Sequence, residues 1–424
     1  MIRIKDIQPA MTGLVGFRPS FDTQDAFLTA DLLTTSSGLY VDGMHPLLTL
    51  RNIEAVMQAS PFTKMDEYDA GKTYKKGQVV ANGDKYCKSL QDSNTNHPVD
   101  NGAWWEPTTL LAEFLRRKYA DAVSSVVNSV IISKKTAGAF KSLLIEKQLF
   151  HGEGSTIIAK QGRFVGFQIK GRYEDVLMII QKVGIQLSAN QTLTLYLYHS
   201  SQAAPIGTVQ AVYTNTKRFQ YVDFKIDAEP PKLTFSPDAY YTLGYYESDL
   251  TGTAYDAQWD FLGENCSGCG HPNAMNRSYW NPYVAVRPIA VTTGLLENDK
   301  TQTWLESEME LCNLTNWGLN LIFGIHCDIT DPVIRQKENF AVGIAETLKV
   351  NLLQEIMFTL RNNKEASEAS NLAFTELGSE SNKYGNPHLK LQKVIDAISF
   401  DFSGLSGVCL PCNDVAYAVR TGAI

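Results

Sequence analysis

The chain is 424 residues long, room for about two to four domains of ordinary size. Its 44% hydrophobic and 20% charged residues describe an ordered globular protein, and a formal net charge of −7 argues against a nucleic-acid binder. No run of about 18 apolar residues is present to cross a membrane as a helix, and Met1 to Asp6 lack the apolar core of a signal peptide, so folding in a cytosol is expected.

Residues 1–62 read as an extended, loop-rich arm. Pro9, Gly13, Gly16, Pro19, Gly38, Gly43 and Pro46 punctuate it, and Leu14, Phe17, Phe21, Phe27 and Leu32 follow no sustained period. Such an arm is expected to lie on another surface, a neighbouring subunit for instance. One short helix is expected within Leu47 to Met57.

Residues 63–107 form a small insert with an aromatic at nearly every turn: Tyr68, Tyr74, Tyr86, Trp104 and Trp105. Asn82-Gly83 is a hairpin signal between Val79-Val80 and Tyr86. A module this small buries little area except through its rings.

Residues 108–150 are expected to be helical. Leu111, Leu115, Tyr119, Ala122, Val126 and Val130 recur at helical spacing, Gly138 interrupts, and a further turn or two is expected around Phe140 to Ile145. Arg116, Arg117 and Lys118 read as that helix's solvated face. From 151 to 300 the period drops to two. Val165/Phe167/Ile169, Val183/Ile185/Leu187, Leu193/Leu195/Leu197, Phe219/Tyr221 and Tyr241/Leu243/Tyr245 alternate with other residues at intervals of about ten. That spacing predicts an antiparallel, jelly-roll-like β-sandwich. Residues 301–424 read as a mixed, largely helical region. It holds a strand over Trp317 to Cys327, a long helix opened by Asp331-Pro332, and shorter helices at Ala366 to Leu377 and His388 to Ile398. The fold class expected is therefore α+β and multidomain.

Two Cys-x-x-Cys pairs, Cys266/Cys269 and Cys409/Cys412, supply the four soft ligands of a structural zinc ion, the one cofactor the sequence suggests. The alternative is four buried thiols or two local disulfides. No nucleophile elbow, phosphate loop or dinucleotide fingerprint occurs, and His326-Cys327-Asp328 cannot form a triad because strand neighbours face opposite ways. No catalytic residue is assigned, and no enzymatic activity is expected.

The order Tyr74-x-x-Gly77-x-x-Val80, Gly83-x-x-Tyr86, Pro98 and Trp104-Trp105 resembles the short carbohydrate-binding module of chitinases (families 5 and 12). The resemblance implies a sugar platform built from Tyr68, Tyr74, Tyr86, Trp104 and Trp105. The chain departs from that pattern at Ser89-Leu90, where those modules place bulky aromatics, so weak or absent chitin binding is expected. If Tyr68, Tyr74, Tyr86 and Trp105 are exposed, sugar binding is favoured; if buried, a scaffold. The stretch from Cys266 to Ile424 resembles virion proteins of tailed phages of Bacteroidetes. That resemblance implies a structural component of a phage particle and names no position in it; a place in the neck, tail or baseplate, with assembly in the host cytoplasm, is expected. Its partners would be further copies of itself in a ring or tube and other virion proteins. The alternative is a carbohydrate-binding or glycan-degrading cell-surface protein whose partner is a surface glycan. Neither reading involves nucleic acid or a membrane span.

Overall fold

A computed structural model gives the fold over residues 2–18, 30–33, 35–57, 65–83, 85–214, 217–261, 277–292, 300, 306–359, 364–378 and 387–410. The chain is mixed α+β, with eight α-helices and several antiparallel sheets among the described residues, none of them closed. It divides into two compact units, each assembled from separated stretches. A helical unit takes Arg3–Ala137 and Pro332–Phe402; a β unit takes Met1–Ile2, Gly138–Asp331 and Ser403–Ile424.

The helical unit is organised by α4, Leu110–Thr136. Thr109 caps its start by accepting the Ala112 amide (3.1 Å), and Lys134 and Lys135 sit in its last turn, where the helix dipole favours cations. Gly138, at φ +73°, stops it. All six residues of the expected stripe, Leu111 through Val130, are buried.

The expected arm does not stand apart. Its described parts fold onto the chain's own helices as α1 (Ile4–Met11), strand β1 (Val15–Gly16), α2 (Ala30–Leu33), strand β2 (Leu39–Tyr40, parallel to β1) and α3 (Leu50–Met57). Ile7, Met11, Leu14, Val15, Phe17 and Leu32 are buried there, while Phe21 and Phe27 lie outside the described residues. Tyr119 of α4 fastens the arm. Its hydroxyl donates to Met11 O (2.7 Å) and accepts the Val15 amide (3.3 Å), and burial pushes the phenol up to about 12.

The long helix expected from Asp331 is broken. It comprises α5 (Thr330–Arg335), a tight turn at Lys337–Phe340 and α6 (Ala341–Met357). Asp328, not Asp331, caps the start, accepting the Thr330 amide (3.0 Å). The break falls at Gln336, whose side chain bonds both the N–H and the carbonyl of Asp401 (2.8 and 2.7 Å). Helix α6 is buried nearly all round, as a central helix must be. Gly343 lets it approach α4 closely, since a Cβ there would lie 3.0 Å from Val126 Cγ1 and 3.1 Å from Ile398 Cδ1. Helices α7 (Lys364–Gly378) and α8 (Pro387–Ala397) follow at the expected places.

The aromatic insert belongs to this unit. It contains β3 (Thr73–Tyr74) paired with β6 (Asn94–Thr95), and a three-stranded sheet of β4 (Val79–Asn82), β5 (Lys85–Ser89) and β7 (Trp105–Thr108). Asn82 pairs with Lys85 across the β4–β5 hairpin, with Gly83 at φ +63°.

In the β unit the alternation becomes strand almost wherever it was expected. Over Phe140 to Ile145, where a helical turn was expected, the chain instead enters β8 (Leu143–Gln148), which pairs along β20 (Leu319–Cys327). A short pair joins β9 (Thr156–Ile158) to β17 (Ala254–Asp256). The other strands are β10 (Phe164–Gly171), β11 (Val176–Ile185), β12 (Gln191–His199), β13 (Gly207–Tyr213), β14 (Gln220–Asp223), β15 (Lys232–Leu233), β16 (Tyr241–Tyr246), β18 (Val284–Val291) and β19 (Glu310–Leu311). One sheet runs β13-β12-β16-β10-β18-β19; the other runs β14-β11-β20-β8 with β15 on β11. Rings span the space between them. Phe167 meets Phe261 (5.5 Å), Phe261 meets Trp259 (4.4 Å), Trp259 meets Trp280 (6.0 Å), and Trp280 meets Phe323 of the second sheet (6.4 Å).

Candidate functional site

The five aromatic residues of the module have separate fates. Tyr74 and Trp105 are core, packed edge-on at 5.2 Å with Val80 and Cys87. The Tyr74 hydroxyl accepts the Asp69 amide (2.7 Å) and donates to Asp69 O (2.9 Å). Trp105 Nε1 and the Tyr68 hydroxyl both donate to His97 O (2.9 Å each). Tyr68 is half-buried, edge-on to Trp105 at 5.7 Å. Trp104 is half-buried and stacks on the His97 ring at 3.8 Å. Tyr86 is half-buried and, by strand alternation, points away from buried Cys87 and Ser89. The module thus fails to gather the five rings on one open face: two are interior and none is fully exposed.

Ser89 explains the missing platform aromatic. It is buried, its hydroxyl donates to Gln91 O (2.9 Å) and accepts from Asn94 Nδ2 (2.9 Å), and Asn94 also reaches Trp104 O (3.2 Å). A ring at this position would displace that network into the core. Residue 89 holds the module together and presents nothing outward.

The cysteine expectation needs correction. Cys409 forms a disulfide with Cys327 at the end of β20, with Cα atoms 5.6 Å apart, so its sulfur is not a thiolate that could hold zinc. Cys266, Cys269 and Cys412 lie outside the described residues. Among the described residues no group of three or more His, Cys, Asp or Glu side chains is placed to hold a metal ion. Around the disulfide, Asp175 organises the returning chain. Its carboxylate accepts the Ser406 amide and hydroxyl (2.7 and 2.9 Å), its carbonyl accepts the Asp328 amide (2.7 Å), and Lys141 N donates to Cys409 O (2.8 Å). The residues flanking Cys327 have structural duties as well: Asp328 caps α5, and His326 is half-buried, its imidazole pKa held below the usual range mainly by burial.

Two charged clusters had no signal in the sequence. Arg163 and Glu247 form a buried ion pair in the β unit (2.9 Å), in which Glu247 also accepts the amides of Gln161 and Arg163 (2.8 and 3.0 Å). In the helical unit Glu346 of α6 is buried against Lys349 and, at 2.6 Å, Lys390. Burial works against its ionisation, but the two ammonium groups outweigh that and hold its pKa below the usual carboxylate range.

Compared with known proteins, the chain matches no family model, no curated protein and no solved structure.

Proposed function

We propose that the protein is a structural component of a phage particle, in the neck, tail or baseplate, that works by assembly and not by turnover. The observation that carries this reading is the inward placement of Tyr74 and Trp105 and the bonding of Tyr68 to the module's own backbone. Those rings spend their area on holding a small module rigid, which is what a bracket needs and a sugar platform does not. The chain passes from β7 straight into capped α4, so the bracket sits on a stiff support.

In this reading the sheets of the β unit act as a jelly-roll-like sandwich, and residues 301–424 are a mixed C-terminal region. Copies of the chain associate as a ring or tube with other virion proteins, inside the host cytoplasm. Exposed Phe358 and Phe374 (72% and 64% accessible) supply apolar area for such contacts. The second reading, glycan binding or degradation at a cell surface, draws on the half-buried Trp104 stacked on His97.

Light scattering with negative-stain imaging tests the first reading. A closed ring or tube of defined copy number is expected; a monomer at every concentration overturns it. Retention on a chitin column, lost in Trp104→Ala with the fold intact, would establish the second reading instead.

A further inference from the structure

A cleft of about 660 Å³ lies within the helical unit, between the aromatic module and the helices α1 and α4. Cations enter it from two sides. Lys76 and Lys88 come from the module, and Arg116 and Arg117 from α4. Two of these charges are answered: Arg116 by Glu113, and Lys88 by Glu106 at 3.4 Å. Lys76 and Arg117 are exposed and have no ion pair among the described residues. A local excess of positive charge in a chain of net charge −7 is an attractor for anions.

The neutral groups narrow the ligand further. Gln8 spends its amide N–H groups on Ser124 Oγ and Ala120 O (2.9 and 3.4 Å), which leaves its side-chain oxygen to accept. Thr12 donates its hydroxyl proton to Gln8 O (3.1 Å), which leaves the Thr12 oxygen to accept. A ligand that satisfies this cleft therefore carries both anionic oxygens and hydroxyl donors. Leu32, Pro9 and the Cβ-less face of Gly77 offer C–H surface between the polar groups. Among the described lining residues the aromatic one, Tyr119, is buried with its hydroxyl committed to the arm, so none of them stacks on a base as single-stranded nucleic acid requires.

We propose that this cleft binds an acidic sugar chain, a uronic-acid oligomer. Its carboxylates would pair with Arg117 and Lys76, and its hydroxyls would donate to Gln8 and Thr12. The guanidinium of Arg117 suits a carboxylate because it can present two parallel N–H donors. The site is separate from the module's aromatic core and does not depend on the phage reading.

The test is calorimetric titration of the full chain at low salt with tetragalacturonate. Its methyl ester (hydroxyls without charge) and a tetraglutamate peptide (charge without hydroxyls) serve as comparators. Tetragalacturonate is expected to bind at least tenfold more tightly than either. Arg117→Gln with Lys76→Gln should weaken it at least tenfold, and Thr12→Val should weaken it severalfold while leaving any tetraglutamate binding unchanged. Lys76, Arg117 and Thr12 are exposed, so circular dichroism should be unaltered in each variant. No binding of tetragalacturonate, equal binding of the peptide or of oligo-dT, or full affinity in the double charge variant would each overturn the proposal.

Discussion

Reduction of the Cys327–Cys409 disulfide gives the sharpest test of how the β unit is closed. The link spans 82 residues. A cross-link that long removes much of the unfolded chain's freedom; the loop-entropy relation gives about 4.5 kcal/mol for this separation, while natural and engineered links more often return about 2–4 kcal/mol. The expected outcome is a urea transition of the β unit shifted by an amount in that range on adding a phosphine reductant, and the same shift in Cys327→Ala/Cys409→Ala without it. Hydrogen exchange localises the effect. The amides of Lys141 and Ser406, which donate to Cys409 O and to Asp175, should lose protection, while strand β10 in the other sheet should lose little. Cys87→Ser and Cys312→Ser are the controls, because both thiols are free and their loss should leave the reductant effect intact. Identical transitions with and without reductant, or alkylation of Cys327 in the untreated native protein, would refute the reasoning. A bond of this kind persists in oxidising surroundings.

Three further outcomes follow from buried groups. Glu247→Gln leaves Arg163 charged and buried beneath the Trp317 ring (4.6 Å), and should cost about 3–5 kcal/mol in chemical denaturation, with much of that recovered in Arg163→Met/Glu247→Leu. Gly166→Ala or Gly244→Ala should each cost about 1–3 kcal/mol, because the new Cβ would lie 2.1 Å from a carbonyl oxygen of the partner strand; unchanged stability would mean that β10 and β16 are not paired in this register. On acidification two losses are expected in turn. His45 has its folded pKa below 6.5, chiefly through burial, so stability falls as pH drops below 6.5 towards the folded value, with His326 adding the same sign; Glu346 has its folded pKa below 4.5, so its contribution holds above 4.5 and is lost as pH falls through the folded value. Denaturation midpoints of His45→Gln against the parent between pH 7 and 5 check the first of these, since the variant should lose part of the slope.

Period-two alternation made the strands legible because their inward face is strictly apolar. Leu193, Leu195 and Leu197 are all fully buried. The opposite face was not legible. Its tyrosines Tyr196, Tyr198 and Tyr246 are buried, covered by residues that arrive much later in the chain. Tyr198 donates to Lys300 O (2.8 Å), the Lys300 ammonium lies 3.7 Å above the Tyr246 ring, and Met309 completes the cover. The same limit explains the broken helix and the misread strand. Local pattern continued the helix through Gln336, and a side-chain bridge to Asp401 interrupts it. Local pattern made Phe140 to Ile145 helical, and pairing with β20 makes part of it a strand.

The candidate sites follow the same division between local and distant signal. Four of the module's five rings, Tyr68, Tyr74, Trp104 and Trp105, pack together, while Tyr86 does not join them. Ring spacing did not tell inside from outside, since Tyr and Trp suit both a core and a platform. The Cys409/Cys412 spacing is a local signature of a metal knuckle, but thiol pairing is decided by where the chain brings sulfur near sulfur, and Cys327 stood alone on its strand. Arg116, Arg117 and Lys118 are consecutive yet meet different surroundings: Arg116, paired with Glu113, and Arg117 border the cleft shared with Lys76 and Lys88, while Lys118 faces Glu355. On a helix, adjacent residues diverge by about 100°, so a run of three like charges is divided among different neighbours. The charge that matters for binding is then the sum over elements meeting in space, and in this cleft half of it comes from a module that the sequence presents as separate from the helix.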